Sequence, residues 1–299
     1  MPADARSRFL DPAVIARLGT LDLKARAIVE GFLSGLHRSP FKGFSVEFAE
    51  YRQYFPGDDL TTLDWKVYGK TDRHFVKKFE EETNLDCRIL LDVSASMGYG
   101  SGSITKLKYG SYLAAALAYL MNRQRDAVGL IAFDDRIREM LPVSARAGHL
   151  TSIFVTLERL TLGTHTDVAK PLRDLAEAIH KRGLVVVISD LLDDPDRVLQ
   201  GLKQFRYRGT EVIVFQVLDP AELKFPFEKA ARFRDMETQD EVLAVPDAVR
   251  GQYLQAVTEL TDRYSRELRM AGIDYTLLDT SVPLEHGLMS YLFTRRRNY

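Results

Sequence analysis

The sequence predicts an α/β fold, with a mostly parallel central sheet covered by helices on both faces and a small helix-and-strand region before it. Three observations predict it. From Leu85 onward, short apolar runs of strand length alternate with longer stretches at helical spacing. The run Leu184 to Ile188 is apolar at every position, as suits a strand covered on both sides. Finally, the short run Ile89, Leu90, Leu91 stops in Asp92, Ser94 and Ser96. These are oxygen-bearing side chains two residues apart, at the start of a small, polar, glycine-rich loop.

In chain order, residues 11–36 carry a helical pattern. Asp11 can cap and Pro12 suits the first turn. Gly19-Thr20 interrupts the pattern and Asp22 caps a second segment. There Leu23, Ala27, Ile28, Phe32 and Leu36 form an apolar stripe for packing on the main domain. Ser39 to Gly43 is rich in turn formers, and Phe44-Ser-Val-Glu-Phe48 alternates like a strand. Pro56-Gly57 marks a turn, and Asp58 or Asp59 caps a short element leading to Trp65, a packing anchor. Residues 74–80 alternate as another strand. Glu80-Glu81-Glu82 reads as a solvated boundary, because three adjacent acids cannot all face one way on a strand or a helix.

The main domain is expected over 85–299, leaving 1–84 as the N-terminal region. Its expected strands are 88–91, 127–133, 137–141, 184–188, 212–217 and 274–278. Asp134-Asp135 makes a hairpin turn. Its expected helices are 105–122, 146–160, 168–181, 195–205, 247–271 and 284–293. Residues 222–245 read as a meander of short pieces. Gly272 stops the long helix, and Arg295-Arg296-Arg297 follows the last one. Asp193, Asp194 and Asp196 flank Pro195 and can cap a helix there, with Asp193 nearest the rim of the candidate site.

Composition narrows the function classes. The 299 residues are 45% hydrophobic, enough for a sizeable core. The formal net charge of -1 gives no global attraction for nucleic acid or an anionic membrane. The single cysteine, Cys87, excludes a disulfide framework or thiolate cluster within one chain and reads as a small buried side chain. The N-terminus lacks the apolar core of a signal peptide, and no apolar run is long enough to cross a bilayer. The expectation is a soluble, cytoplasmic protein.

In an open α/β sheet, ligands bind beyond the carboxyl ends of the strands. Three such places carry suitable oxygens: Asp92, Ser94 and Ser96; the stretch Gly163-Thr164-His165-Thr166-Asp167; and Ile188-Ser189-Asp190. Carboxylates and hydroxyls with few soft ligands favour a hard divalent ion, Mg2+ first and Mn2+ or Ca2+ next. Neutral hydroxyls leave the ion net positive, with an open position for a partner's carboxylate. Two other readings stay open. One is a metal-assisted hydrolase with His165 as base. The other is a nucleotide site in the glycine-rich stretch from Gly98 to Lys106. That stretch lacks Gly-Lys-Ser/Thr in order, and Gly-x-Ser-x-Gly is absent. Ser94 and Ser96 therefore read as ligands and the chain as a binding module, not an enzyme.

Asp92-x-Ser94-x-Ser96 with Thr166 and Asp190 resembles the metal-ion-dependent adhesion site of von Willebrand factor type A domains. Upstream, Gly43 to Phe48, Arg52 to Leu60, Asp64-Trp-Lys66 and Val76 to Glu80 resemble the bacterial domain of unknown function 58 family. Thr61-Thr62 stands where that family carries a basic residue. The resemblance implies a Rossmann-like, von Willebrand factor type A-like fold, with Asp92, Ser94, Ser96, Thr166 and Asp190 as metal ligands and Mg2+ as cofactor. It implies a metal-dependent adaptor beside a MoxR-type AAA+ ATPase, in assembly, maturation or regulation of client proteins. It implies no defined reaction.

Overall fold

The computed structural model describes residues 12–36, 51–53, 75–77, 85–163, 167–179, 181–237 and 240–298. The chain divides into two compact units, Met1–Leu33 with Leu85–Tyr299, and Ser34–Asn84. The first helices, α1 (Pro12–Ala16) and α2 (Leu21–Leu36), thus fall on the α/β side as far as Leu33. In the smaller unit, β1 (Tyr51–Gln53) pairs antiparallel with β2 (Phe75–Lys77). The expected strand at 44–48, Trp65, His74 and the Glu80–Glu82 run lie outside the described residues.

The larger unit continues with β3 (Asp86–Asp92), a 3-10 turn (Ala95–Gly98), α3 (Lys106–Arg123), β4 (Ala127–Phe133) and β5 (Ile137–Ser144). Then come α4 (His149–Arg159), α5 (Ala169–Ala178), β6 (Leu184–Ser189), α6 (Pro195–Tyr207) and β7 (Glu211–Leu218). It closes with α7 (Pro220–Lys224), β8 (Ala231–Arg234), β9 (Glu241–Ala244), α8 (Pro246–Met270), β10 (Asp274–Asp279) and α9 (Glu285–Asn298). Six strands form one sheet in the order β10-β7-β6-β3-β4-β5, all parallel except β5. Helices cover both faces, as expected of a Rossmann-like, von Willebrand factor type A-like fold.

The register explains how the core is divided. Leu90 lies opposite Ile131 and Val187, and Val187 opposite Val214, so these side chains share one face. They are buried with Leu172 and Leu175 of α5, Leu202 of α6 and Tyr264 and Leu268 of α8. Helix α3 takes the other face. A Cβ on its Gly110 would lie 3.0 Å from Leu91 and 3.2 Å from Ile188, so glycine lets this helix approach the sheet.

Several expectations are corrected. Helix α2 begins at Leu21, whose amide donates to Glu158 Oε1 of α4 at 2.7 Å, so a neighbouring helix caps it and Asp22 lies inside. Its buried stripe is Leu21, Ala25, Ile28, Val29 and Phe32, while Leu23 is half exposed. Strand β5 runs on through Pro142 to Ser144, which the sheet tolerates because β5 is an edge. The expected meander holds a short helix, α7, and an antiparallel hairpin, β8–β9. Helix α9 continues through the arginines to Asn298.

Candidate metal centre

Parallel pairing places Leu91 opposite Ile188, so the carboxyl ends of β3 and β6 lie side by side. Asp92 is the last residue of β3 and is wholly buried. Its Oδ1 accepts from the Ser94 amide at 2.8 Å, a local turn that aspartate favours. The Ser94 and Ser96 hydroxyl oxygens lie 3.0 Å apart. Ser94 is buried and Ser96 is half-buried, so this set opens toward solvent at Ser96.

The end of β6 is held from several sides. Ser189 Oγ donates to Asp92 Oδ2 at 2.5 Å and accepts from the Leu191 amide at 3.0 Å. Leu191 has φ 55°, a left-handed conformation that costs a branched residue about 1–2 kcal/mol. Such strain persists where the surroundings over-determine it. Here Gln216 Nε2 donates to the Asp190 carbonyl at 2.8 Å, and Tyr264 OH donates to the Leu191 carbonyl at 3.1 Å. The Asp190 side chain is thereby turned inward and wholly buried. Its Oδ1 accepts from the Leu192 amide at 3.2 Å, and its Oδ2 from Lys106 Nζ at 2.8 Å. Lys106 Nζ also donates to Glu222 Oε1 at 2.6 Å, and Glu222 Oε2 accepts from the Asp219 amide at 2.7 Å.

The charges in this pocket do not balance. Burial and the nearby Asp190 carboxylate push Asp92 up to about 7, against weaker lowering by Ser189 and Ser94. Among the described residues no basic side chain bonds to Asp92. Burial works against the charge on Lys106, but Asp190 and Glu222 outweigh it and hold the ammonium above the usual lysine range. Burial raises Glu222 in spite of Lys106. One ammonium is shared by two acids, so the shortfall of positive charge falls on the carboxylates.

The second loop starts beside the same place. The Gly163 amide donates to the Val93 carbonyl at 2.6 Å. A Cβ on Gly163 would stand 2.1 Å from Asp134 Oδ2, so only glycine fits there. Asp134, expected as a turn residue, is buried, and its Oδ2 accepts from Arg138 Nε at 2.6 Å. Thr166 and His165 lie outside the described residues. Past them, Asp167 accepts from Arg197 Nη2 at 3.0 Å and from the Lys170 amide at 3.0 Å. Asp193 accepts from the Ala169 amide at 3.4 Å, at the start of α5. Asp194 caps α6, as its place before Pro195 suggested.

The glycine-rich stretch after the 3-10 turn is committed to other work. The Ser101 amide and hydroxyl donate to the two oxygens of Asp219 at 2.9 and 2.5 Å. Lys106, the lysine of this stretch, is likewise held between Asp190 and Glu222.

Among the described residues no group of three or more His, Cys, Asp or Glu stands together as a metal cluster. The donor set is two carboxylates and serine hydroxyls. It is hard, oxygen-only and short of positive charge at Asp92, and so its chemistry fits a hard divalent cation. Asp92, Ser94 and Ser96 are brought together directly, and Asp190 is adjacent through Ser189. The sequence reading named Ser189 only as the neighbour of Asp190 and missed Lys106 and Glu222 as members of this pocket. Two signals were available. A lysine at the first residue of a helix opposes the helix dipole, and Asp219-Pro-Ala-Glu222 spells a capping box that the structure contains.

Among the described residues no helix is long and apolar enough to cross a membrane. Uncharacterized proteins of Mycobacterium tuberculosis and Mycobacterium bovis are each 25% identical over 300 residues, spanning 99% of this chain and 94% of their own. The conserved hypothetical protein BatB of Bacteroides thetaiotaomicron overlays with a TM-score of 0.49 at 17% identity, over 72% of this chain and 100% of that one. An aerotolerance-related membrane protein of Bacteroides fragilis overlays with a TM-score of 0.47 at 19% identity, over 68% and 96% of the two chains. The family described as protein of unknown function DUF58 matches residues 50–263, a span that takes in both sides of the candidate metal centre. The chain belongs to that family.

Proposed function

We propose that this chain is a protein-interaction module that binds a divalent ion, Mg2+ first, at the carboxyl ends of β3 and β6. One observation carries the reading. Asp92 is a fully buried carboxylate whose donors, among the described residues, are neutral, beside two serine hydroxyls and a second buried acid. Asp92, Ser94 and Ser96 would hold the ion, with Asp190 and Thr166 completing the set. When bound, the ion supplies a positive centre that a partner's carboxylate can engage. The chain's own residues do the remaining work. Ser189 and the Ser94 amide orient the Asp92 carboxylate, and the half-buried Ser96 marks the side open to a partner. Leu162 and Met236 both lie over Gly98 in the first loop and are partly exposed at 43% and 37%. They give a partner apolar surface beside the charge.

In the finer reading that the sequence resemblance implies, the partner is a MoxR-type AAA+ ATPase and the client offers the carboxylate. The test is capture of a purified MoxR-type ATPase, and separately of an acidic peptide, on the immobilised chain with Mg2+ or with chelator. Capture that depends on Mg2+ and is lost in Asp92→Ala is the expected result. Capture indifferent to chelator would refute metal-dependent recognition.

A further inference from the structure

Lys106 is a resident cation inside the candidate ion site. It is the first residue of α3, next to the cap Thr105, whose Oγ1 accepts from the Lys108 amide at 3.3 Å. A lysine here faces the positive end of the helix dipole. Its side chain is nevertheless completely buried. A buried ammonium persists only where partners compensate its lost hydration. The partners are Asp190 Oδ2 at 2.8 Å and Glu222 Oε1 at 2.6 Å, with the Tyr99 ring centroid 6.0 Å away.

We infer that Lys106 sets the divalent-ion affinity of this site by competing with the ion for Asp190, and that Glu222 tunes the competition. The inference rests on the metal-binding reading above. Asp190 has one oxygen on the Leu192 amide and the other on the ammonium. A divalent ion drawing on Asp190 must share or displace that ammonium, and the two positive charges repel within a buried pocket. Glu222 offers Lys106 a second anchor, so the ammonium can lean away when Asp190 is taken. Lys106 therefore opposes ion binding, and Glu222 favours it. Lys106 is a positioning residue that also lets the pocket stay folded without an ion, by supplying part of the missing positive charge.

The two residues make opposite predictions, which a purely structural pair would not. Mg2+ is titrated calorimetrically into the full chain and into Lys106→Met, Glu222→Gln and the charge-balanced double variant. Mn2+ binding followed by electron paramagnetic resonance gives a second readout. Lys106→Met and the double variant are expected to bind about tenfold tighter than the wild type, and Glu222→Gln several-fold weaker. If Lys106→Met alone fails to fold, because Asp190 and Glu222 then face each other unpaired, the double variant decides the question. Wild-type binding with unchanged or weaker binding in the double variant overturns the inference and leaves the metal reading intact. Binding of Mg2+ by neither the wild type nor any variant overturns both.

Discussion

The ends of β3 and β6 carry the same functional group in the same layer of the fold and solve its burial differently. Asp92 is surrounded by neutral donors, Ser189 and the Ser94 amide, and is pushed up to about 7. Asp190 is matched by an ammonium delivered from α3. Two buried acids that share a pocket cannot both stay charged without compensation. Here one is neutralised from within, and the other is left for a proton or an external cation. That asymmetry separates an acid open to an external cation from one that already shares a resident ammonium, although both look alike as aspartates after apolar strands.

The comparison breaks most visibly at Asp92. Replacing it by alanine is expected to weaken Mg2+ binding about a hundredfold or more, while circular dichroism and cooperative unfolding persist. The lost hydrogen bonds cost about 1–3 kcal/mol, offset in part by removing a buried charge. Global unfolding would instead assign Asp92 a structural task.

Acidity sharpens the comparison further. Asp92 titrates near 7 in the folded chain and near 3.8 when unfolded, so the folded state holds an extra proton between those values. Its contribution to the metal-free chain's stability is therefore fully present below about 4 and is lost as pH rises through about 7. Mg2+ binding requires the deprotonated form, so affinity rises across the same upper range. Unfolding curves by pH, for the wild type and Asp92→Asn, check this. An identical slope in both would remove Asp92 as the cause.

Two smaller effects test how the loops are held. Gly163→Ala would force a Cβ to within 2.1 Å of Asp134 Oδ2. It is expected to cost about 1–3 kcal/mol in urea unfolding, and unchanged stability would show that this loop yields easily. Thr105→Ala removes the acceptor of the Lys108 amide, at a cost of about 1 kcal/mol. Its partner measurement is Mg2+ affinity, which stays the same if Lys106 is placed by its two carboxylates and shifts if the cap places it.

Much of this was legible in the sequence, for local reasons. The apolar runs at 89–91 and 184–188 marked interior strands, and the spacing of Asp92, Ser94 and Ser96 marked a loop at a strand end. Residue period and loop chemistry act over a few residues, so they can be read directly. The Lys106 contacts cannot be read that way. Lys106 is 84 residues from Asp190 and 116 from Glu222, and only the strand order β7-β6-β3 brings them together. Lys106 sits in a glycine-rich stretch that superficially resembles a phosphate loop, and Glu222 opens a segment expected to be irregular. The shift of the α2 stripe to Leu21, Ala25 and Val29 has a similar origin, since tertiary packing and not the helix's own period chose the buried face.

The central claim is that the Asp92 side of the pocket takes an external cation and the Asp190 side has its own. Calorimetric titration of Mg2+ into the full chain at pH 8, against Asp92→Asn, tests it most directly. The expected result is saturable one-to-one binding by the wild type and none by Asp92→Asn. Equal heats from the two proteins, or no binding by the wild type even with an acidic peptide present, would contradict it.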